Sequence, residues 1–148
     1  MTRSSLTLDA LRSTIGDIIG GHFGAHHVDA QGDVHVDHES ARVFVCARPW
    51  RERAALVSIF SVTNVAVPIT EALTLFLASE NLQTVFGHFA LHADEGASHG
   101  DVWFGHTLLG DFLDADELVT ALSAVARAAN KYDDLIKARF GGRLYTEG

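Results

Sequence analysis

The residues best suited to chemistry in this chain are its nine histidines. They gather at His26-His27, at His35 and His38 on either side of Asp37, and at His88 with His92. Imidazoles and carboxylates bind metals or move protons, but a metal site needs three or four of them converging on one point. On a strand, residues four apart share a face yet stand about 13 Å from one another at a rise of ~3.3 Å per residue. His88 and His92 therefore cannot both reach one ion without a bend. His35 and Asp37 stand about 6–7 Å apart by the same rise, short of the three or four ligands with supporting partners that a metal site needs. The pattern reads as solvated surface histidine, with no metal and no cofactor expected. A histidine-rich metal-binding protein is the alternative.

Nucleophilic catalysis has less support. Ser58, Ser61 and Cys46 fall in apolar, β-branched runs, not on the strained strand-to-helix turn that exposes a catalytic serine. Cys46, inside Val43-Phe44-Val45-Cys46-Ala47, behaves as a small buried hydrophobe. Three carboxylate pairs occur. Asp94-Glu95 reads as a turn. Asp116-Glu117 reads as a helix start, where negative charge is stabilising. Asp133-Asp134 reads as the solvated face of a long helix. Gly96, Gly100, Gly105 and Gly110 are too dispersed for a phosphate loop. No catalytic residue is assigned and no enzyme is expected.

The aromatic residues are more informative, because alternation on a strand sorts them by face. If Val85, Phe89 and Leu91 face the helices, then Phe86, His88 and Ala90 face away. If Val102 and Phe104 face the helices, Trp103 faces away beside them. Phe86, His88 and Trp103 thus form a candidate peptide- or dimer-binding patch on the outer face of a sheet. A soluble monomer rarely leaves such a patch bare. A partner chain would cover it, or a helix or the His26–Ser40 segment of the same chain.

The elements that must position these residues follow from periodicity. Leu8, Leu11, Ile15, Ile18 and Ile19 predict a first helix, capped by Thr7 and stopped by Gly20-Gly21. Val28, Val34 and Val36 suit a short hairpin around Gln31-Gly32. Arg42–Arg48 and Ala54–Val67 read as strands joined by a charged turn over Pro49–Arg53. Pro68 opens a helix carrying Ile69, Leu73, Phe76 and Leu77, which ends at Ser79-Glu80-Asn81. Gln83–His92 and Asp101–Leu109 read as two more strands. Asp114 caps a last helix whose stripe runs Leu118, Leu122, Val125, Ala129, Tyr132, Ile136, Phe140 before Gly141-Gly142. The order α-β-β-(β)-α-β-β-α, with hairpin connections, predicts an α+β fold in which helices flank an antiparallel sheet.

With 148 residues and no repeat or linker, the chain reads as a single domain over 1–148. One cysteine excludes an internal disulfide and suits a reducing, cytoplasmic setting. No signal peptide or membrane span is expected. A formal net charge of −8 with 11 Lys+Arg argues against nucleic acid and against an anionic membrane as partner.

The stretch from Ala54 to Gly142 also resembles a known family. A long apolar strand leads to a helix ending Leu77-Ala78-Ser79-Glu80-Asn81. It is followed by Gly87-His88-Phe89-Ala90-Leu91-His92, then Asp114-Ala115-Asp116-Glu117-Leu118, then Ala128-Ala129-Asn130-Lys131-Tyr132-Asp133, and Phe140-Gly141-Gly142 closes the run. This order is similar to the YbjN family, whose fold is that of the type III secretion chaperones. The resemblance implies a small acidic homodimer that holds a partner's segment in a non-globular state or acts in regulation, without catalysis or cofactor. The expected function is a peptide- or protein-binding module steered by its negative charge toward basic or amphipathic segments. A regulatory or structural dimer without a client is the alternative.

Overall fold

The computed structural model describes residues 5–52 and 54–147, and side chains from Leu8 onward. The chain order is α1 (Ser5–Phe23), β1 (His27–Val28), β2 (Val34–His38), β3 (Ala41–Trp50), β4 (Ala54–Pro68), α2 (Glu71–Asn81), β5 (His88–His92), β6 (His99–Leu109), α3 (Ala115–Phe140), β7 (Arg143–Leu144) and a final 3-10 turn, Tyr145–Glu147. The strands form one sheet in the order β1-β2-β3-β4-β6-β5, with β7 paired to β4. Every neighbouring pair is antiparallel. The α+β architecture, an antiparallel sheet with helices packed on it, is the one expected from the order of elements.

Period-two alternation sends Val43, Val45, Val57, Ile59, Val102 and Phe104 to one face of the sheet, where all are buried. The stripes of the helices close over them: Leu11, Ile15 and Ile19 from α1, Leu73 and Leu77 from α2, Leu118, Leu122, Val125 and Ile136 from α3. Burial of this apolar surface supplies the main favourable term in folding. Asp114 caps α3, its carboxylate accepting the Asp116 N–H at 3.1 Å. At the far end the Phe140-Gly141-Gly142 run acquires a physical reason. Gly142 sits at φ 79°, and a Cβ there would lie 2.8 Å from the Val65 carbonyl oxygen. Only glycine lets the chain reverse this tightly and lay β7 along β4.

Several boundaries differ from expectation. The first helix runs through Gly20-Gly21 to Phe23; the buried Ile19 anchors this turn in the core, which offsets the roughly 1 kcal/mol that each helical glycine costs. Thr7 falls inside that helix, not at its cap, and its side chain lies outside the described residues. β3 extends through Pro49 to Trp50, so the charged turn is confined to residues 51–53, of which Arg53 lies outside the described residues. Thr70 caps α2, accepting the Leu73 N–H at 3.1 Å, in place of an opening at Pro68.

The largest departure is the segment after α2. A strand was expected from Gln83, but β5 starts at His88. Asn81 bonds both main-chain groups of Phe89, at 2.6 Å and 3.2 Å, and the Thr84 hydroxyl donates to the Gly87 carbonyl at 2.7 Å. These side chains hold residues 82–87 as a turn, a local alternative to ladder pairing. Val85 consequently does not face the helices; it is 84% exposed.

Candidate functional site

The face of the sheet opposite the helices carries a continuous row of rings. His27 in β1 stacks on His35 in β2 at 4.7 Å, and His35 meets Phe44 in β3 at 5.6 Å. Phe44 stacks on Phe60 in β4 at 5.3 Å, and Phe60 on Trp103 in β6 at 4.9 Å. Trp103 then stacks on His92 in β5 at 4.1 Å. The row follows from register: His27 is opposite His35, His35 opposite Phe44, and Phe44 opposite Phe60. Cross-strand ring pairs of this kind are the sheet's own means of stabilising one face.

Phe44, Phe60 and Trp103 are half-buried, each stacked on a neighbour in the row. The His26–Ser40 segment, a possible cover, instead extends the sheet as β1 and β2. The C-terminal turn reaches the middle of the row, where the Tyr145 ring meets Phe44 edge-on at 6.0 Å. Beside Trp103 the face dips into a hollow of about 220 Å³ over Gly105, with Arg48, His88 and His92 around it.

Of the three candidate residues, the structure brings two together. His88 and Trp103 share this hollow. Phe86 does not join them. It precedes Gly87, where the chain turns at φ 102°, so strand alternation does not extend to it. Its ring meets His106 edge-on at 5.8 Å and lines a separate hollow with Leu108, Thr120 and Ala121 at the start of α3. Burial, and next the charge of His88, lower the His106 pKa below the usual imidazole value.

A buried polar cluster lies between the sheet and α3, and here Asp133 corrects the expectation of a solvated helix face. Asp133 is only 1% exposed. Its main-chain carbonyl accepts from Asn64 Nδ2 at 2.8 Å, tying α3 to β4. The Ser40 hydroxyl lies 2.8 Å from Asn130 Oδ1 and 2.6 Å from Asp133 Oδ2. The hydroxyl has one proton to give and shares it between these two acceptors. Burial raises the Asp133 pKa above the usual carboxylate value, opposed by the bonds donated by Ser40 and the Asp134 N–H. A sequence signal existed: Asp133 is four residues after Ala129 and three before Ile136, on the edge of the apolar stripe.

Cys46 is buried. Burial, and next the Asp33 charge, push its thiol up to about 11, away from the thiolate that nucleophilic or redox chemistry requires. Among the described residues no three His, Cys, Asp or Glu side chains converge as a metal site. Among them, too, no helix is long and apolar enough to cross a membrane.

Residues 9–148 match the family of T3SS (YopN, CesT) and YbjN peptide-binding chaperones, TY-Chap1. Two solved structures share the fold. A chain of the HopA1-SchA chaperone-effector complex superposes with a TM-score of 0.57 at 12% identity, over 85% of this chain and 95% of that one. A chain of the ExsC-ExsE complex does so with a TM-score of 0.50 at 18% identity, over 88% of this chain and 94% of that one. A comparison with curated proteins found no match. With a family match running from the first helix to the C-terminus, on a sheet-and-helix fold shared with chains of both complexes, this chain belongs to the TY-Chap1 family of peptide-binding chaperones.

Proposed function

We propose that this chain is a non-catalytic chaperone or regulatory module that acts as a homodimer and holds an extended segment of a partner protein against the outer face of its sheet. The observation that carries this reading is the ring row from His27 to His92, which no helix covers among the described residues. An extended chain laid on it presents every second side chain to Phe60 and Trp103, with His88 beside them. The buried thiol of Cys46 fits a reducing cytoplasm.

A second apolar surface supports the dimer. Leu75 and Leu82 lie two turns apart on one side of α2 and are exposed, as is Val85 just beyond. We assign this surface to self-association, leaving the sheet face for the client. Light scattering tests the dimer, with an expected mass twice the chain's 16.0 kDa; L82S combined with V85S should return it to one chain. Cross-linking from a photoreactive group placed at Ser58 tests the client face. Stoichiometric capture of one partner segment is expected. A monomer at micromolar concentration that cross-links to nothing would overturn the proposal.

A further inference from the structure

The hollow over Gly105 differs in charge from the molecule that contains it. Arg48 from β3, Ser58 from β4, Thr107 from β6, and His88 and His92 from β5 surround it, with the Trp103 ring at its side. All of these bring hydrogen-bond donors, and no Asp or Glu is among the lining residues. Arg48 is exposed and makes no salt bridge among the described residues, unlike Arg12, Arg42 and Lys137. The Trp103 Nε1–H is buried and finds no acceptor among the described residues. An indole N–H only donates, and a buried donor is ordinarily paired. In register, the carboxylate nearest His92 is Asp101; it is not among the hollow's lining residues and accepts the Ala66 N–H at 3.1 Å.

We infer that this hollow is a carboxylate pocket, which takes an Asp or Glu side chain of the bound segment. The inference rests on the peptide-binding function proposed above and names the chemistry of the client. An anionic oxygen in the hollow meets a guanidinium, the imidazoles of His88, His92 and His106, and two hydroxyls, all of them able to donate. The hollow exists because position 105 has no side chain; a Cβ there would lie 3.1 Å from the Phe60 Cβ. In an extended segment the residues two before and two after the acidic one point to the same face. They fall toward the rings of the row, Phe60 and Trp103 nearest. The recognised pattern is therefore an acidic residue flanked at alternate positions by apolar or aromatic ones. A second copy of the chain fits poorly here, since a twofold contact centred on the hollow sets Arg48, His88 and His92 against their own copies. The net charge of −8 favours basic partners over the molecule as a whole; on this face the local charge selects the opposite sign.

A peptide array tests this with the full chain. Ten-residue peptides with apolar residues at alternate positions carry Asp, Glu, Asn, Gln, Lys or Arg at the centre. The expected result is that Asp and Glu peptides bind about tenfold more tightly than their amide counterparts. R48Q, at an exposed position, should reduce that preference to about twofold. Equal binding of acid and amide, or tighter binding of Lys and Arg, overturns the carboxylate pocket and leaves the peptide-binding function standing. Binding of no peptide by a folded protein removes both.

Discussion

Trp103 and Phe104 are adjacent in β6 and face opposite sides of the sheet, so truncating each to alanine separates folding from binding. Phe104 is fully buried, and its ring packs edge-on against Phe89 at 4.9 Å. F104A removes a wholly enclosed ring and leaves a cavity among Phe89, Ile59 and the helices, which costs about 3–5 kcal/mol. Trp103 is half-buried, and W103A loses two ring stackings, with Phe60 and His92. At ~0.5–1.5 kcal/mol each, and with solvent able to fill the space, the cost is about 1–2 kcal/mol. W103A also removes an indole N–H that has no acceptor among the described residues, which offsets part of that loss. For a chain of this size, urea midpoints should fall by about 2 M for F104A and by less than ~1 M for W103A. Peptide binding measured by fluorescence anisotropy should show the reverse order: nearly abolished in W103A, and retained by the folded fraction of F104A. Equal destabilisation by the two changes would mean that β6 does not separate an enclosed core face from an open binding face. Unaltered binding in W103A would remove the ring row from the site.

Other perturbations have equally definite outcomes. The Asp133 pKa is raised in the folded chain, so the folded state holds this proton more tightly than the unfolded state does. Its contribution is complete below the unfolded carboxylate value of about 3.9 and is lost as pH rises through the raised folded value. Urea midpoints of the natural chain should therefore decline relative to those of D133N as pH rises above about 4; a constant difference would show that folding does not raise the Asp133 pKa. Phe140 is half-buried against Phe76 at 5.3 Å, with Arg139 over its ring, so F140A should cost about 2 kcal/mol, below the ~3–5 kcal/mol of an enclosed ring. A loss as large as that of F104A would mean that the end of α3 is packed more deeply than described.

The local periods of the chain were legible before the structure. The stripe from Leu118 to Phe140 specifies one long helix, because side chains three and four apart share a helix face whatever they pack against. The opposition of Trp103 to Phe104 is equally local, since successive side chains on a strand must point apart. Both rules ended where a side chain took over the backbone's hydrogen bonds. Asn81 and Thr84 curl residues 82–87 into a turn, which places Phe86 with His106 and away from His88 and Trp103.

What only the tertiary structure decided is which strands stand side by side. β6 pairs with both β4 and β5, and that pairing gathers Arg48, Ser58, His88 and His92 around Gly105 from three other strands. No spacing in the sequence encodes that meeting, because it depends on contacts between distant segments. The same is true of Asp133, buried because Ser40 and Asn64, 93 and 69 residues away, close over it. The sequence by itself determined the faces of each element and the overall sign of the charge. Assembly determined which faces remained open and where the charge was locally reversed, since a sum over residues carries no information about their positions in space.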